Sequence, residues 1–321
     1  MKKKIIFTDK PVVLEKYVSR IKQMRNADIT VYQDYAKDSV ELIERGKGAQ
    51  IVITDAILPY SKEVLSSWPT LEIIITTSVG TDHIDLVYCK KMGIKVINFP
   101  GFNARSVAEM AFANLITLLR RIPLAQQHVK SGGWKYEPFE GEELAGKNFG
   151  IIGAGNIGQE LIKIGQGMGM DIFCNTNHPS PSRAKKLKIG KFYSFDEVLQ
   201  KADFIALAVP ATAETENLID AKALKKMKNS AYLINVSRYK VVDALALAKA
   251  LYRKEIAGAA LDVIGPEPYN LKDDNLLIQE MVNLPNVILT PHIAWNTKEA
   301  SERLGERLVE KMIEVIKDSR G

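Results

Sequence analysis

The stretch FGIIGAGNIG at residues 149–158 decides the fold of this chain. An apolar run leads into a G-x-G-x-x-G pattern, and residues 159–168 are then typical of a helix. A strand, a glycine turn and a helix in this order are the context in which the pattern binds a dinucleotide. We therefore expect a dinucleotide site here, and the alternative is a plain strand-to-helix turn of an α/β sheet.

Each part of this turn has its own expected task. Gly153 permits the tight turn, Gly155 lets a pyrophosphate come close to the backbone, and Gly158 lets the helix pack on the strand. The N-terminus of the helix then offers free N–H groups and the positive end of its dipole to the phosphates. Asn156 and Ile157, just before the predicted helix, are also expected to bind the cofactor. These five residues are the first part of the predicted cofactor site.

The composition indicates an ordinary globular protein. A length of 321 residues predicts about two domains, and the hydrophobic content of 46% and charged content of 26% are typical of soluble proteins. The only cysteines, Cys89 and Cys174, suit a reducing cytoplasm. The net charge of +6 is spread along the chain, whereas nucleic-acid proteins usually carry a basic stripe. We expect a cytoplasmic protein with no membrane, nucleic-acid or metal partner.

Strand-like runs alternate with helical patterns along the whole chain, which predicts an α/β fold with two Rossmann-like parallel-sheet domains. The first domain has five predicted strands, and the second has six. They cover residues 5–8, 29–32, 51–54, 73–77 and 95–98, and then 149–152, 171–175, 204–208, 231–235, 257–262 and 287–290.

The helices suggest how the two domains are connected. A long apolar helix is predicted over residues 106–121, with Ser106 as its N-cap and Glu109 completing a capping box. The last helix, residues 298–317, is amphipathic and follows an already complete second sheet, so we expect it to cover the first domain. The dinucleotide-binding domain, residues 100–290, is thus inserted into a substrate domain of residues 1–99 and 291–321. The segment 130–145 is a candidate arm for a partner subunit.

Three later segments carry candidate catalytic groups. Arg238 ends the segment INVSR at a strand end, where its planar fork suits a carboxylate and a carbonyl. Asp262 and Glu267 lie in ALDVIGPEP, one at a strand end and one in a proline-flanked turn. Of four histidines, only His292 ends an apolar strand, and histidine is the natural proton donor near neutral pH. Each residue alone also has a purely structural interpretation.

In this order, GAGNIG, NVSR, ALDV…EP and TPHIAW resemble the D-isomer-specific 2-hydroxyacid dehydrogenases over nearly the whole chain. The segments SVGTDHID at 78–85 and PGFNARSVAE at 100–109 are also similar to this family. The resemblance implies that Arg238 binds the substrate carboxylate and carbonyl, that His292 is the acid/base, and that Glu267 hydrogen-bonds to His292. It also implies that the N–H groups of Val79 and Gly80 hold the substrate carboxylate.

The resemblance extends to the cofactor and the substrate. It implies a nicotinamide cofactor with Asp262 beside the nicotinamide, and a homodimer. Trp295 and the PGF turn at 100–102 resemble the glycerate dehydrogenase/hydroxypyruvate (glyoxylate) reductase branch, with Trp295 expected to line the substrate pocket. The other positions expected to bind the cofactor are Ser106, Thr176, Asn177, Val209, Pro210, Thr215, Val236 and Ala294.

Several alternatives stay open at this point. Within the family they are phosphoglycerate dehydrogenase, which the end of the chain at Gly321 without a regulatory domain disfavours, D-lactate dehydrogenase, and formate or phosphite dehydrogenase. Outside enzymes, nucleotide-sensing corepressors on this fold also keep a TPH-x-A-W segment. Against a corepressor, the sequence has no disordered tail and no peptide-binding extension.

Three features depart from the family pattern. Tyr239 stands where glycine usually follows the arginine, which would strain a backbone position with positive φ. The stretch 270–283 is longer than usual. Thr176 stands where an acidic residue usually binds the ribose 2′-OH and repels a 2′-phosphate. Because that repulsion is missing, we expect NADP to be preferred over NAD, with His178, Ser180, Ser182, Arg183 and Lys185 as nearby donors.

Overall fold

The computed structural model describes residues 2–55, 57–266 and 270–317. The chain divides into two compact units, one of Met1–Asn103 with Asn296–Gly321 and one of Ala104–Trp295. These divisions lie a few residues after the boundaries expected from the sequence. None of the helices within the described ranges is both long enough and apolar enough to cross a membrane.

The first unit contains a five-stranded sheet whose pairings are all parallel, in the order β2-β1-β3-β4-β5. Its first nine elements are β1 (Lys3–Phe7), α1 (Glu15–Lys22), β2 (Ala27–Val31), α2 (Ser39–Arg45), β3 (Ile51–Thr54), α3 (Lys62–Ser66), β4 (Ile73–Thr76), α4 (Leu86–Met92) and β5 (Lys95–Ile97).

The second unit contains a six-stranded parallel sheet in the order β11-β10-β9-β8-β6-β7. Its elements are α5 (Ala104–Leu119), α6 (Ile122–Lys130), β6 (Asn148–Ile152), α7 (Asn156–Gly167), β7 (Asp171–Asn175), α8 (Pro181–Lys186), α9 (Phe195–Lys201), β8 (Phe204–Leu207), α10 (Ala221–Lys226), β9 (Tyr232–Asn235), α11 (Ala244–Tyr252), β10 (Gly258–Leu261), α12 (Leu276–Met281) and β11 (Val287–Leu289). Short 3-10 helices cover Glu137–Phe139, Tyr239–Val241 and Leu271–Asp273. The predicted fold class, with two parallel sheets of five and six strands, is confirmed.

The last helix, α13 (Lys298–Lys317), packs on the first unit. Leu304, Leu308 and Met312 recur at a spacing of four residues and are fully buried. They share a core cluster with Tyr17 and Val18 of α1. Residues four apart lie on one face of a helix, so the amphipathic pattern explains why this helix covers the sheet of the first unit.

The strand register of the second unit aligns the carboxyl ends of five strands. Leu207 pairs with both Ile152 and Asn235, and Leu261 pairs with Asn235 and Leu289. The residues that follow these strands therefore lie along one edge of the sheet. β7 and β8 flank β6 on opposite sides, which makes the end of β6 the switch point where ligands of such sheets bind.

The start of α5 corrects one local prediction. Ser106 does not cap this helix, because the helix already begins at Ala104 and Ser106 lies buried in its first turn. Ala104 and Arg105 are good helix formers and extend the helix by two residues toward the N-terminus. Glu109, expected to complete a capping box, instead accepts a hydrogen bond from Arg105 Nε at 2.6 Å.

Candidate functional site

The glycine turn after β6 contains two glycines that close packing requires and one that has free space around it. Gly153 has a φ of +105°, and a Cβ on it would lie 2.4 Å from the carbonyl oxygen of Ala208. A Cβ on Gly158 would lie 1.9 Å from the carbonyl oxygen of Gly153. A Cβ on Gly155 would meet no atom within 4 Å. Gly153 and Gly158 are therefore required by packing, whereas Gly155 faces free space.

The first turn of α7 has the properties of an anion site. Gly155 is its N-cap and provides no side chain to accept the first N–H groups of the helix. Asn156 and Ile157 are the first two helical residues. The open space at Gly155 lets an anionic ligand approach these groups, as a pyrophosphate does in dinucleotide sites.

The loop after β7 begins with Thr176 and Asn177 and is contacted by an arginine of the next helix. Thr176 is half-buried, and its Oγ1 accepts a hydrogen bond from the N–H of His178 at 3.4 Å. Asn177 is exposed. Arg183 of α8 donates to the carbonyl oxygens of His178 (2.6 Å) and Ala154 (3.1 Å). The guanidinium therefore bridges this loop and the glycine turn.

Cys174 lies just before this loop, and burial raises the pKa of its thiol to about 12. A thiol with so high a pKa is protonated at neutral pH and is a poor nucleophile.

The segment after β8 is held in shape by a threonine. Thr215 is buried, and its Oγ1 donates to the carbonyl oxygen of Pro210 at 2.6 Å while accepting the N–H of Thr212 at 2.8 Å. Val209 lies beside Gly153, because its side chain would be 2.9 Å from a Cβ on that glycine. The predicted cofactor residues Val209 and Pro210 thus line the sheet edge next to the glycine turn, and Thr215 fixes their loop.

The Arg238 loop is built on a buried asparagine at the end of β9. Asn235 Oδ1 accepts the N–H (3.0 Å) and the hydroxyl (2.8 Å) of Ser237, and Asn235 Nδ2 donates to the carbonyl oxygen of Arg238 at 3.0 Å. Val236, between them, is buried. The half-buried Arg238 thus extends from a rigid turn. Tyr239 starts a 3-10 helix and has no positive φ, so tyrosine is accommodated without backbone strain.

Asp262, after β10, organises the turn that carries His292. Asp262 is only 2% exposed. Its carboxylate accepts hydrogen bonds from the hydroxyl of Thr290 (2.5 Å) and from the N–H groups of Ile293 (3.0 Å) and Ala294 (2.8 Å). A carboxylate that accepts several hydrogen bonds is firmly held. The aspartate therefore fixes the turn that contains His292, whose side chain is half-buried.

His292 itself has a left-handed backbone. Its φ is +51°, and its N–H donates to the carbonyl oxygens of Asp262 (2.8 Å) and Thr290 (3.0 Å). Such a conformation is unfavourable for residues other than glycine and concentrates at functional sites. Nearby Ala294 is buried, and Trp295 is half-buried against the core cluster that contains α5 residues.

The polar environment of this turn includes two residues that the sequence analysis missed. Thr290 bridges Asp262 and Asn114, because Asn114 Nδ2 donates to Thr290 Oγ1 at 3.3 Å. Asn114 is a buried polar side chain in the apolar stretch Ala113–Leu115 of α5, and a polar residue at such a position was the signal that the sequence offered. Glu267, predicted to pair with His292, lies outside the described residues.

In the first unit, the segment after β4 presents two adjacent N–H groups. Ser78 Oγ donates to the carbonyl oxygen of Gly80 (2.5 Å), and Asn98 Nδ2 donates to that of Val79 (2.6 Å). Within the described part of the chain, no hydrogen bond uses the N–H of Val79 or of Gly80. The carbonyls are fixed and the N–H groups stay available, which is the arrangement an anion requires.

Comparisons with known proteins show the family of this chain. Residues 112–294 match the family model described as "D-isomer specific 2-hydroxyacid dehydrogenase, NAD binding domain". The chain is 40% identical over 283 residues to a glyoxylate reductase of Thermococcus litoralis, covering 86% of this chain and 83% of the relative.

Two solved structures resemble the whole chain. One is a D-lactate dehydrogenase from Aquifex aeolicus complexed with NAD and lactic acid, with a TM-score of 0.87, 32% identity and coverage of 98% of this chain and 96% of the other. The second is an acyclic imino acid reductase (Bsp5) in complex with NADPH and D-Arg, with a TM-score of 0.87, 30% identity and coverage of 98% and 97%.

Proposed function

This chain belongs to the D-isomer-specific 2-hydroxyacid dehydrogenases, enzymes that use a nicotinamide cofactor, and we propose that it reduces glyoxylate and hydroxypyruvate, the latter to the D-hydroxy acid. The observation that carries the proposal is the turn of His292, held by Asp262 at the sheet edge where the glycine turn and the Arg238 loop also lie. The name of the Thermococcus litoralis relative supports glyoxylate as a substrate.

The proposed catalytic residues have two tasks, to stabilise negative charge and to donate a proton. When bound, the nicotinamide supplies a hydride to the carbonyl carbon of the 2-oxo acid. Arg238 stabilises the negative charge that develops on the carbonyl oxygen. His292, in its protonated form, donates a proton to that oxygen. Glu267, as an anion in hydrogen-bonding reach, would favour the protonated histidine.

The substrate carboxylate is proposed to bind the N–H groups of Val79 and Gly80. The fixed carbonyls and available N–H groups of this segment support this assignment. Trp295 is proposed to limit the size of the substrate side chain, because a large aromatic ring suits a short 2-oxo acid.

We propose that the enzyme prefers NADP over NAD. Thr176 removes the acidic residue that would repel a 2′-phosphate. Arg183 brings a guanidinium to the loop after β7, where its contacts with His178 and Ala154 hold it near the glycine turn. A contact between arginine and phosphate is charge-assisted and suited to the planar fork. Ser106, Asn177, Val236 and Ala294 are proposed to complete the cofactor site.

A homodimer is the proposed assembly. Helix α6 has no buried residue, and Val129 on it is half exposed. The following segment exposes Trp134 (87%) and Tyr136 (83%). Exposed apolar groups of this size mark interaction surfaces, so we propose that residues 122–136 bind a second copy. Light scattering should give twice the chain mass, and Trp134→Ser with Tyr136→Ser should reduce it to that of one chain.

Steady-state kinetics test the proposed activity. Oxidation of NADPH and NADH should be followed with glyoxylate, hydroxypyruvate, pyruvate and phosphohydroxypyruvate. We expect the highest kcat/KM with glyoxylate or hydroxypyruvate, and a D-configured product from hydroxypyruvate. A higher kcat/KM with pyruvate would instead assign a D-lactate dehydrogenase, and one with phosphohydroxypyruvate a phosphoglycerate dehydrogenase. No turnover with any of the four would refute the proposal.

A further inference from the structure

Gly80 lies between two peptide groups that are each held at their carbonyl oxygen. The carbonyl oxygen of Val79 accepts from Asn98 Nδ2 at 2.6 Å, and that of Gly80 accepts from Ser78 Oγ at 2.5 Å. In a planar trans peptide group the N–H points away from the C=O, so the contact with Asn98 also sets the direction of the Gly80 N–H. Glycine has the most backbone freedom of all residues, and these two contacts restrict it on both sides of Gly80.

The hydroxyl of Ser78 is itself held by a threonine at the end of β4. Thr76 Oγ1 lies 2.8 Å from Ser78 Oγ and 3.4 Å from His83 Nε2. Thr76 is fully buried, whereas Ser78 and His83 are half-buried. A chain of hydrogen bonds, the His83 relay, thus runs from the imidazole of His83 through the two hydroxyls of Thr76 and Ser78 to the carbonyl oxygen of Gly80.

The number of protons fixes the direction of the His83 relay. A carbonyl oxygen only accepts, so Ser78 donates its single hydroxyl proton to Gly80. Thr76 then has to donate its own proton to Ser78, and the ring of His83 has to donate to Thr76. The relay therefore requires a proton on Nε2 of His83, which the neutral Nε2–H tautomer and the imidazolium both provide. A ring protonated only at Nδ1 is incompatible with it.

The ring of His83 is held in place by Tyr60. The two rings pack edge to face, with centroids 6.1 Å apart and an angle of 88° between their planes. The N–H of Tyr60 donates to the carbonyl oxygen of His83 at 2.7 Å, and Tyr60 is fully buried. Contacts of backbone and ring with one buried residue thus fix the position from which Nε2 donates.

We propose that His83 is a positioning residue for the substrate carboxylate and acts on Gly80 through Thr76 and Ser78. The proposal rests on the proposed function, in which the N–H groups of Val79 and Gly80 bind that carboxylate. A segment that is already held in its binding geometry loses less conformational entropy when the ligand binds. The relay should therefore affect the affinity for the substrate more than the rate of the chemical step.

Variants of His83 and Thr76 test the relay through substrate affinity. His83→Phe keeps a ring against Tyr60 but has no N–H, and Thr76→Val replaces the hydroxyl by a methyl group. Each should raise KM for glyoxylate, and the inhibition constant of the unreactive analogue oxamate, by about three- to tenfold, the effect of one lost hydrogen bond. Changes in kcat should be smaller. The double variant should equal the larger single effect, because either change already breaks the relay. His83→Gln, whose amide can donate to Thr76, should keep KM near the wild-type value.

Thr77→Val is the matched control. Thr77 is buried like Thr76, but its Oγ1 donates to the carbonyl oxygen of Thr54 at 3.0 Å, outside the relay. The variant loses a buried hydroxyl of the same size, so its unfolding temperature should fall as in Thr76→Val while KM stays at the wild-type value. An equal rise of KM in Thr77→Val would overturn the proposal, as would unchanged KM in both His83→Phe and Thr76→Val, or effects of these two variants that simply add.

Two further measurements do not depend on turnover. Long-range proton–nitrogen NMR correlations at neutral pH show which ring nitrogen is protonated, with the signals of His83 assigned by their loss in His83→Gln. A proton on Nε2 is expected, and a ring protonated only at Nδ1 would overturn the relay. Absence of turnover with every 2-oxo acid would refute the proposed function. In that case, weaker binding of oxamate to His83→Phe than to the wild type, measured by calorimetry, would still support the relay, and equal binding would overturn it.

Discussion

His292 donates its backbone N–H to the carbonyl oxygen of Asp262 at 2.8 Å, and the carboxylate of the same aspartate accepts the next two N–H groups of the chain. Backbone and side chain of one residue thus hold a turn whose central φ is +51°. A left-handed histidine persists only where surrounding contacts impose it. Asp262 is therefore a positioning residue for His292, whatever its further contacts with a cofactor.

Asp262→Asn should destabilise the protein and displace His292. An asparagine offers one acceptor oxygen and turns its amide toward N–H or hydroxyl donors, so at least one buried donor loses its partner. Such a loss costs about 1–3 kcal/mol. Urea unfolding should report the lower stability, and kcat should fall while KM changes less. Asp171→Asn, at the exposed start of β7, is the control. An unchanged unfolding midpoint and unchanged kcat would show that the hydrogen bonds are unimportant.

His292→Ala should abolish most turnover and leave cofactor binding nearly intact. A general acid contributes about 10²- to 10⁴-fold to the rate. The readouts are kcat with glyoxylate and the fluorescence titration of NADPH. His128→Ala removes a histidine of α6, whose ring nitrogen accepts the N–H of Lys135, and should keep wild-type kcat. If His292→Ala kept more than about half of kcat, its assignment as the general acid would be wrong.

Alanine substitutions at two glycines of the same turn should impair different properties, cofactor binding in one case and stability in the other. Gly155→Ala should fold with wild-type stability but bind the cofactor more weakly, because its Cβ enters free space where a pyrophosphate is expected. Gly158→Ala should destabilise the fold, because its Cβ would lie 1.9 Å from the carbonyl oxygen of Gly153. Gly167→Ala, at the other end of α7, meets no atom within 4 Å and is the control. Thermal unfolding and NADPH titration separate the two effects, and equal behaviour of all three variants would contradict this account.

Thr176→Asp should move the cofactor preference from NADPH toward NADH. The added carboxylate accepts hydrogen bonds from the ribose 2′-OH and repels a 2′-phosphate. Arg183→Ala should lower kcat/KM for NADPH more than for NADH, by about tenfold to a hundredfold. Lys186→Ala removes an exposed charge from the same helix and should change neither ratio. A wild-type preference for NADH would rule out the proposed role of Thr176.

Sequence patterns predicted much of this fold, whereas features that depend on three-dimensional contacts were not predicted. Apolar runs of four to five residues between helical stretches located both sheets, because buried parallel strands leave that pattern. Helix α5 began earlier than predicted, since its start depends on weak differences between neighbouring residues. The triple hydrogen bond to Asp262 joins segments about 30 residues apart, and no local pattern encodes it. Nor could the sequence tell that Tyr239 occupies an ordinary backbone conformation.

The return of α13 to the first unit has a consequence for synthesis on the ribosome. The second unit is one continuous segment and can fold once it has emerged. The strands of the first unit emerge before it, yet the buried residues Leu304, Leu308 and Met312 belong to a helix that follows the second unit in the sequence. Until then, the apolar face that this helix covers stays exposed to water and to other chains. The first unit thus begins before the second unit in the sequence and is completed only after it.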